Sequence, residues 1–141
     1  MGPLDASALP AGAVVLVDTA PIIYVLEGHR SLGQRFAPLF ERHAAAEIAF
    51  AVTTITIAEV LTGPLRKGEE ALARRYKAVL ESWQVVVLTV DIADGAARLR
   101  ARTKLKLPDA IQVASALAIN ANALVTHDRD FSAVKGLQIL A

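Results

Sequence analysis

The sequence predicts an α/β fold, an open and mostly parallel sheet with helices on both faces. Three observations carry this. Short apolar, β-branched runs alternate with segments of helical periodicity along the chain, and parallel strands need helical crossovers between them. Val14–Val17 is apolar without interruption and is followed by Asp18, the pattern of a central strand that is buried on both faces and ends at a loop. The segment 109–122 is Ala-rich and apolar nearly all round, so a helix there must be buried on several sides.

After the first strand, 20–27 reads as a short helix closed by Gly28, and 34–43 places Phe36, Leu39 and Phe40 at helical spacing. Ile48, Phe50 and Val52 alternate through 47–53 as in a strand. Thr56 then opens a helix that passes Glu59 and stops at Gly63-Pro64. Segment 69–83 is amphipathic through Leu72, Tyr76, Val79, Leu80 and Trp83, and 85–90 is the clearest strand in the sequence. Asp91 caps the next helix, with Asp94 three residues on. Pro108 lies just inside the start of the Ala-rich helix, and 123–126 and 137–140 read as short strands, the last at a sheet edge.

With 141 residues against ~150 for a typical domain, the chain is a single domain. Its first 12 residues carry two Pro and one acid but no basic stretch before an apolar run, so they read as a loose tail and not as a signal peptide. Fifteen Lys and Arg against 14 Asp and Glu leave a net charge of +1, so any charge-based recognition is local. The absence of Cys excludes disulfides, Cys-ligated zinc and thiol nucleophiles, and suits a cytoplasmic protein. His29, His43 and His127 lack the spacing of a His-based metal site. The chain is 54% hydrophobic, but its apolar runs fall short of the ~18 residues of a membrane span. The surplus points to an oligomer or partner interface.

In such a sheet, ligands bind outside the carboxyl ends of the strands. Four acids qualify. Asp18 and Asp128 follow apolar strands, and Glu59 and Asp109 lie in the first turns of helices. An all-oxygen set of this kind suits Mg²⁺ or Mn²⁺ rather than zinc, and without a cation the carboxylates would repel one another. Each acid also has a local reading. Thr56-Ile-Ala-Glu59 fits a capping box, Asp109 complements a helix dipole, and Asp18 and Asp128 suit turns or caps.

The segments Val-Leu-Val-Asp18-Thr19, Ile-Ala-Glu59-Val, Leu-Pro-Asp109-Ala-Ile-Gln-Val-Ala-Ser-Ala-Leu and Leu-Val-Thr126-His-Asp128-Arg-Asp-Phe131 together resemble the PIN domain, and most of all the VapC-type toxin ribonucleases. The match spans 14–140. The resemblance implies a PIN fold, a Mg²⁺- or Mn²⁺-dependent endoribonuclease acting on RNA, a homodimer, and a VapB-type antitoxin partner that inhibits it. Asp18, Glu59, Asp109 and Asp128 fall on the family's four acidic positions. Two departures stand out. Seventeen residues precede Asp18, where the family's first acid lies within a few residues of the start, and His127 replaces an Asn often seen there. Asp130, two residues after Asp128, is an alternative fourth acid.

On this reading Asp18 and Asp109 contact the metal, and Glu59 and Asp128 complete the site directly or through water. Thr126 and Thr19 either steady carboxylates and waters or are ordinary strand-end hydroxyls. Arg98, Arg100, Arg102, Lys104 and Lys106 are candidate RNA contacts, against the alternative of a solvated helix face. Arg66, Lys67, Arg74, Arg75 and Lys77 form a second basic stretch. Competing readings are a catalytically inactive PIN-like binding domain and a phosphate-accepting receiver module. The receiver would need an adjacent acidic pair near the first strand and a Lys after the last core strand, and neither is present at Asp18 or Asp128. Phosphate-binding Gly-rich motifs are also absent.

Overall fold

The computed structural model describes residues 2–128, 134 and 136–141. Its elements, in order, are β1 (Val14–Val17), α1 (Thr19–Leu26), α2 (Leu32–Ala44), β2 (Ala49–Thr53), α3 (Thr54–Arg66), α4 (Glu70–Glu81), β3 (Gln84–Val86), α5 (Val90–Arg102), α6 (Leu107–Ala118), β4 (Ala123–Val125) and β5 (Gln138–Leu140). The strands pair in the order β3-β2-β1-β4-β5, and every pairing is parallel. As the sequence predicts, β1 is the central strand, with Val15 opposite Phe50 on one side and Ala123 on the other.

Side-chain alternation along the strands divides the core into two layers. Val15 and Val17 face the layer that holds Ile22, Phe36, Leu39, Phe50, Val60 and Leu80, so α1 to α4 cover that face. Leu16, Ala51 and Leu124 face the layer built from α5 and α6 through Ile92, Ala96, Leu99, Ala110 and Val113. Each fully buried Val, Leu, Ile or Phe contributes about 1.5–3 kcal/mol by leaving water. The chain steps outward from β1 to β2 and β3, then returns to place β4 and β5 on the other side. The carboxyl ends of β1 and β4 therefore flank a topological switch point, where open α/β sheets form a crevice.

Several element boundaries differ from expectation for local reasons. The strand expected over 85–90 pairs only to Val86, because its partner β2 ends opposite it at Thr53. Beyond the ladder Val87 and Leu88 are exposed, and Val90 opens α5. That helix is capped by Thr89, whose hydroxyl accepts from the Ile92 amide, and not by Asp91. Asp94 instead pairs with Arg98 at 2.7 Å.

α3 starts at Thr54, with Thr53 as its cap accepting from the Thr56 amide. The strand thus runs into the helix without a loop, and the Thr56-to-Glu59 capping box does not form. Nor does Gly63-Pro64 stop α3 at once, since Pro64 sits in its last turn and the helix ends two residues later at Arg66. Gly68, at φ +71°, turns the chain after it. Trp83 lies beyond the end of α4 yet is buried. α6 starts two residues earlier than expected, at Leu107, and ends at Ala118 ahead of Asn120, which takes a left-handed conformation at φ 54°.

The leading segment, expected to be loose, is seated on the core. Leu4, Ala6 and Leu9 are buried, Arg42 of α2 donates to the carbonyls of Ala6 and Leu9, and the Leu4 amide donates to the Arg35 carbonyl. Composition signals a flexible stretch, but not the guanidinium groups that hold its carbonyls. Among the described residues no helix is long and apolar enough to cross a membrane. Deleting residues 1–9 is expected to lower the unfolding free energy in urea by about 2–4 kcal/mol. An unchanged midpoint and slope would show that the segment does not pack.

Candidate active site

Asp18 stands at the carboxyl end of β1 as the N-cap of α1. Its backbone amide donates to the Val125 carbonyl, which joins it to β4. Three donors fix its side chain. Oδ1 accepts from the Thr19 amide at 2.8 Å and from Gln112 Nε2 at 2.8 Å, and Oδ2 accepts from Thr126 Oγ1 at 2.9 Å. Those donors belong to α1, to α6 and to the residue after β4, so one carboxylate is held from three elements.

Glu59 is no longer bound to a capping role. It lies on the second turn of α3 and accepts from Thr19 Oγ1 at 3.0 Å. Thr19 in turn shares a 2.9 Å hydrogen bond with Thr56. Asp109 occupies the first turn of α6, behind Pro108. Burial pushes its carboxyl up from its ordinary pKa, the charges of Asp18, Asp128 and Glu59 push the same way, and Lys106 opposes them. All three other acids thus act on Asp109. The amide of Asp128 donates to Thr126 Oγ1 at 3.1 Å, so Thr126 bridges the first and fourth acids. Asp130 lies outside the described residues. Among the described residues, no three acidic or imidazole side chains are grouped closely enough to hold a metal ion as they stand.

The basic run divides. Arg102, Lys104 and Lys106 line a cleft of about 680 Å³ together with Thr103, Leu105, Asp109 and Asp128. Arg98 instead pairs with Asp94, and Arg100 reaches the Leu105 carbonyl at 3.4 Å. Lys104 and Lys106 lie in the connection between α5 and α6 that leads to Asp109, and Arg102 ends α5, so only the last part of the run lines the cleft with the acids. The second basic stretch is exposed on α3, α4 and the turn between them, with Lys77 at 4.0 Å from Glu81.

Sequence reasoning missed Gln112, Thr53 and Thr56. All three are buried. Gln112 donates to Asp18 and to Thr56, and its Oε1 accepts from Thr53 at 2.9 Å. The available signal was a single amide one turn beyond Asp109 in a stretch whose only other polar residue up to Ala118 is Ser115.

The family model described as PIN domain matches residues 15–137. Among solved structures, the chain is similar to a toxin–antitoxin complex from Klebsiella pneumoniae, at 28% identity over 87% of this chain and 94% of that one, with a TM-score of 0.69. It is also similar to VapBC2 from Rickettsia felis bound to a DNA fragment from their promoter, at 19% identity over 89% and 96% of the two chains, with a TM-score of 0.70. A further similar structure is VapC20 of Mycobacterium tuberculosis, a sarcin-ricin loop cleaving toxin, at 16% identity over 82% and 91%, with a TM-score of 0.65. No curated protein gives a match. The chain belongs to the PIN domain family. Of the three similar structures, the one above 25% identity is the toxin–antitoxin complex, and the other two share the fold.

The electrostatics of Asp109 give a test without any reaction. A carboxyl raised in the folded state works against folding once it ionises. Its cost is absent below the unfolded pKa of about 3.9 and grows as pH rises from there through the folded value. At pH 7 in EDTA, Asp109→Asn is therefore expected to raise the Tm by a few degrees, with the difference from wild type closing near pH 3. A lower Tm for Asp109→Asn at pH 7 would show that the neighbouring acids do not burden Asp109.

Proposed function

We propose that this chain is a Mg²⁺- or Mn²⁺-dependent endoribonuclease, the toxin of a VapBC-type pair, restrained by a VapB-type antitoxin. The observation that carries the reading is the linkage of the four acids at the crevice beside the central strand. Thr19 bonds both Asp18 and Glu59, Thr126 bonds both Asp18 and Asp128, and Asp128 lines one cleft with Asp109. Membership of the PIN family and the likeness to toxin–antitoxin complexes support the same reading.

The donor set fits a hard divalent cation. The acids offer only carboxylate oxygens, the chain has no Cys, and its His residues lack metal-site spacing. Asp18 and Asp109 would hold the ion, with Glu59 and Asp128 completing the site directly or through water. A bound cation would supply polarisation of a phosphate and a lowered pKa for water, so that hydroxide is available for attack. Thr126 and Gln112 keep both oxygens of Asp18 in place, and Thr19 orients Glu59. Arg102, Lys104 and Lys106, in the cleft with Asp109 and Asp128, would take the backbone phosphates of the RNA. With water rather than a ribose 2′-hydroxyl as nucleophile, the products carry a 5′-phosphate and a 3′-hydroxyl.

Val87, Leu88 and Val90 are exposed, as are Leu107 and Leu117 on α6. These side chains would supply apolar contacts for a homodimer and an antitoxin, in a cytoplasmic protein.

Purified protein incubated with total bacterial RNA and Mn²⁺ is expected to produce new 5′-phosphate ends at defined positions. EDTA, Asp18→Asn or Asp109→Asn should each reduce them to background while leaving the circular-dichroism spectrum unchanged. Wild-type cleavage by both variants would refute the site. No cleavage by a chain that takes up no Mn²⁺ would instead favour an inactive PIN-like binding domain.

A further inference from the structure

We infer that Gln112 is a positioning residue that sets the geometry of Asp18 and Glu59 together, through one directional chain of hydrogen bonds. The inference rests on the function proposed above. Gln112 is 2% exposed, in the middle of the buried face of α6. Its amide uses both nitrogen hydrogens, one to Asp18 Oδ1 and one to Thr56 Oγ1, each at 2.8 Å. Its oxygen accepts from Thr53 Oγ1 at 2.9 Å.

The direction of every bond follows from the inventory of hydrogens. Flipping the amide would set Oε1 against a carboxylate oxygen of Asp18, two acceptors face to face, so the nitrogen must point to Asp18. The Thr53 hydroxyl then donates to Oε1 while its oxygen accepts from the Thr56 amide. Thr56 Oγ1, having accepted from Gln112, has its own hydrogen left for Thr19 Oγ1 at 2.9 Å. Thr19 passes its hydrogen to Glu59 Oε1 at 3.0 Å. No hydroxyl in the series donates twice. The amide therefore fixes Asp18 directly and Glu59 through two threonines, joining α6 to the ends of β1 and β2.

A residue that merely fills the core would not need this. Methionine at 112 has similar length but gives Asp18 and Thr56 no donor and Thr53 no oxygen acceptor. Glutamate would bring a second carboxylate to Asp18. Partners that orient ligands from behind in this way are worth about 10–100-fold in metal affinity or activity.

The test is Mn²⁺ affinity of the full chain, measured by calorimetric titration at 10 °C alongside the metal-free Tm and steady-state RNA cleavage. Gln112→Met is expected to weaken Mn²⁺ binding by about 10–100-fold and to lower kcat, with KM for RNA unchanged. Thr19→Val, which cuts the chain only before Glu59, should weaken binding less, and Thr19→Ser should restore it. A Gln112→Met protein that loses Tm but binds Mn²⁺ within about twofold of wild type overturns the inference alone, since a purely structural role moves only the Tm. If Gln112→Met does not fold, equal affinities for Thr19→Val and Thr19→Ser overturn it instead. A wild-type chain that takes up no Mn²⁺ overturns the proposed function and this inference with it.

Discussion

The carboxylate of Asp18 is held where three parts of the fold meet. Its two oxygens take hydrogen bonds from the Thr19 amide at the start of α1, from Gln112 on α6 and from Thr126 after β4. Those donors come together only if β4 lies beside β1, with Leu16 opposite Leu124 and Val17 opposite Val125. They also require α6 to pack on the face that Leu16 and Leu124 share. Parallel pairing at the centre of the sheet is thus what gives the crevice its shape. A one-residue slip of β4 would carry Thr126 away from Asp18 and turn Leu124 out of its layer.

Polar groups at this depth are stabilising only when every one of them is paired. A buried donor or acceptor left without a partner costs about 1–3 kcal/mol. Among the described residues every buried side-chain nitrogen and oxygen has a partner. Thr53, Thr56, Gln112 and Thr126, all nearly inaccessible, are satisfied largely by one another and by Asp18. The same network that removes this cost also orients acids that lie closer to solvent. Burial and like charge raise the Asp109 carboxyl beside it, a burden that a bound cation would relieve.

Much of this was legible in the residues. Continuous apolarity marked Val14–Val17 as the central strand, and the Ala-rich composition of α6 marked a helix buried on several sides. The position of Asp18 immediately after β1 was readable for the same reason, since the end of an apolar run is visible in one dimension. What escaped depended on neighbours distant in sequence. Val87 and Leu88 read as strand, but β2 ends at Thr53 and leaves them no partner. Thr53 and Thr56 are equally good caps by composition, and the end of the ladder decides between them. Gln112 was visible as a residue but not as a role, because its partners lie 56, 59 and 94 positions away. The seating of Leu4 and Leu9 depends on Arg42, which nothing in the leading segment itself announces.

The central claim of the proposed function is that these acids hold a divalent cation at the switch point. Diffraction from crystals soaked in Mn²⁺, recorded at a wavelength where manganese scatters anomalously, tests it most directly. The account predicts an anomalous peak within bonding distance of carboxylate oxygens of both Asp18 and Asp109. Full-occupancy manganese bound elsewhere, with those two carboxylates contacting no ion, would contradict it.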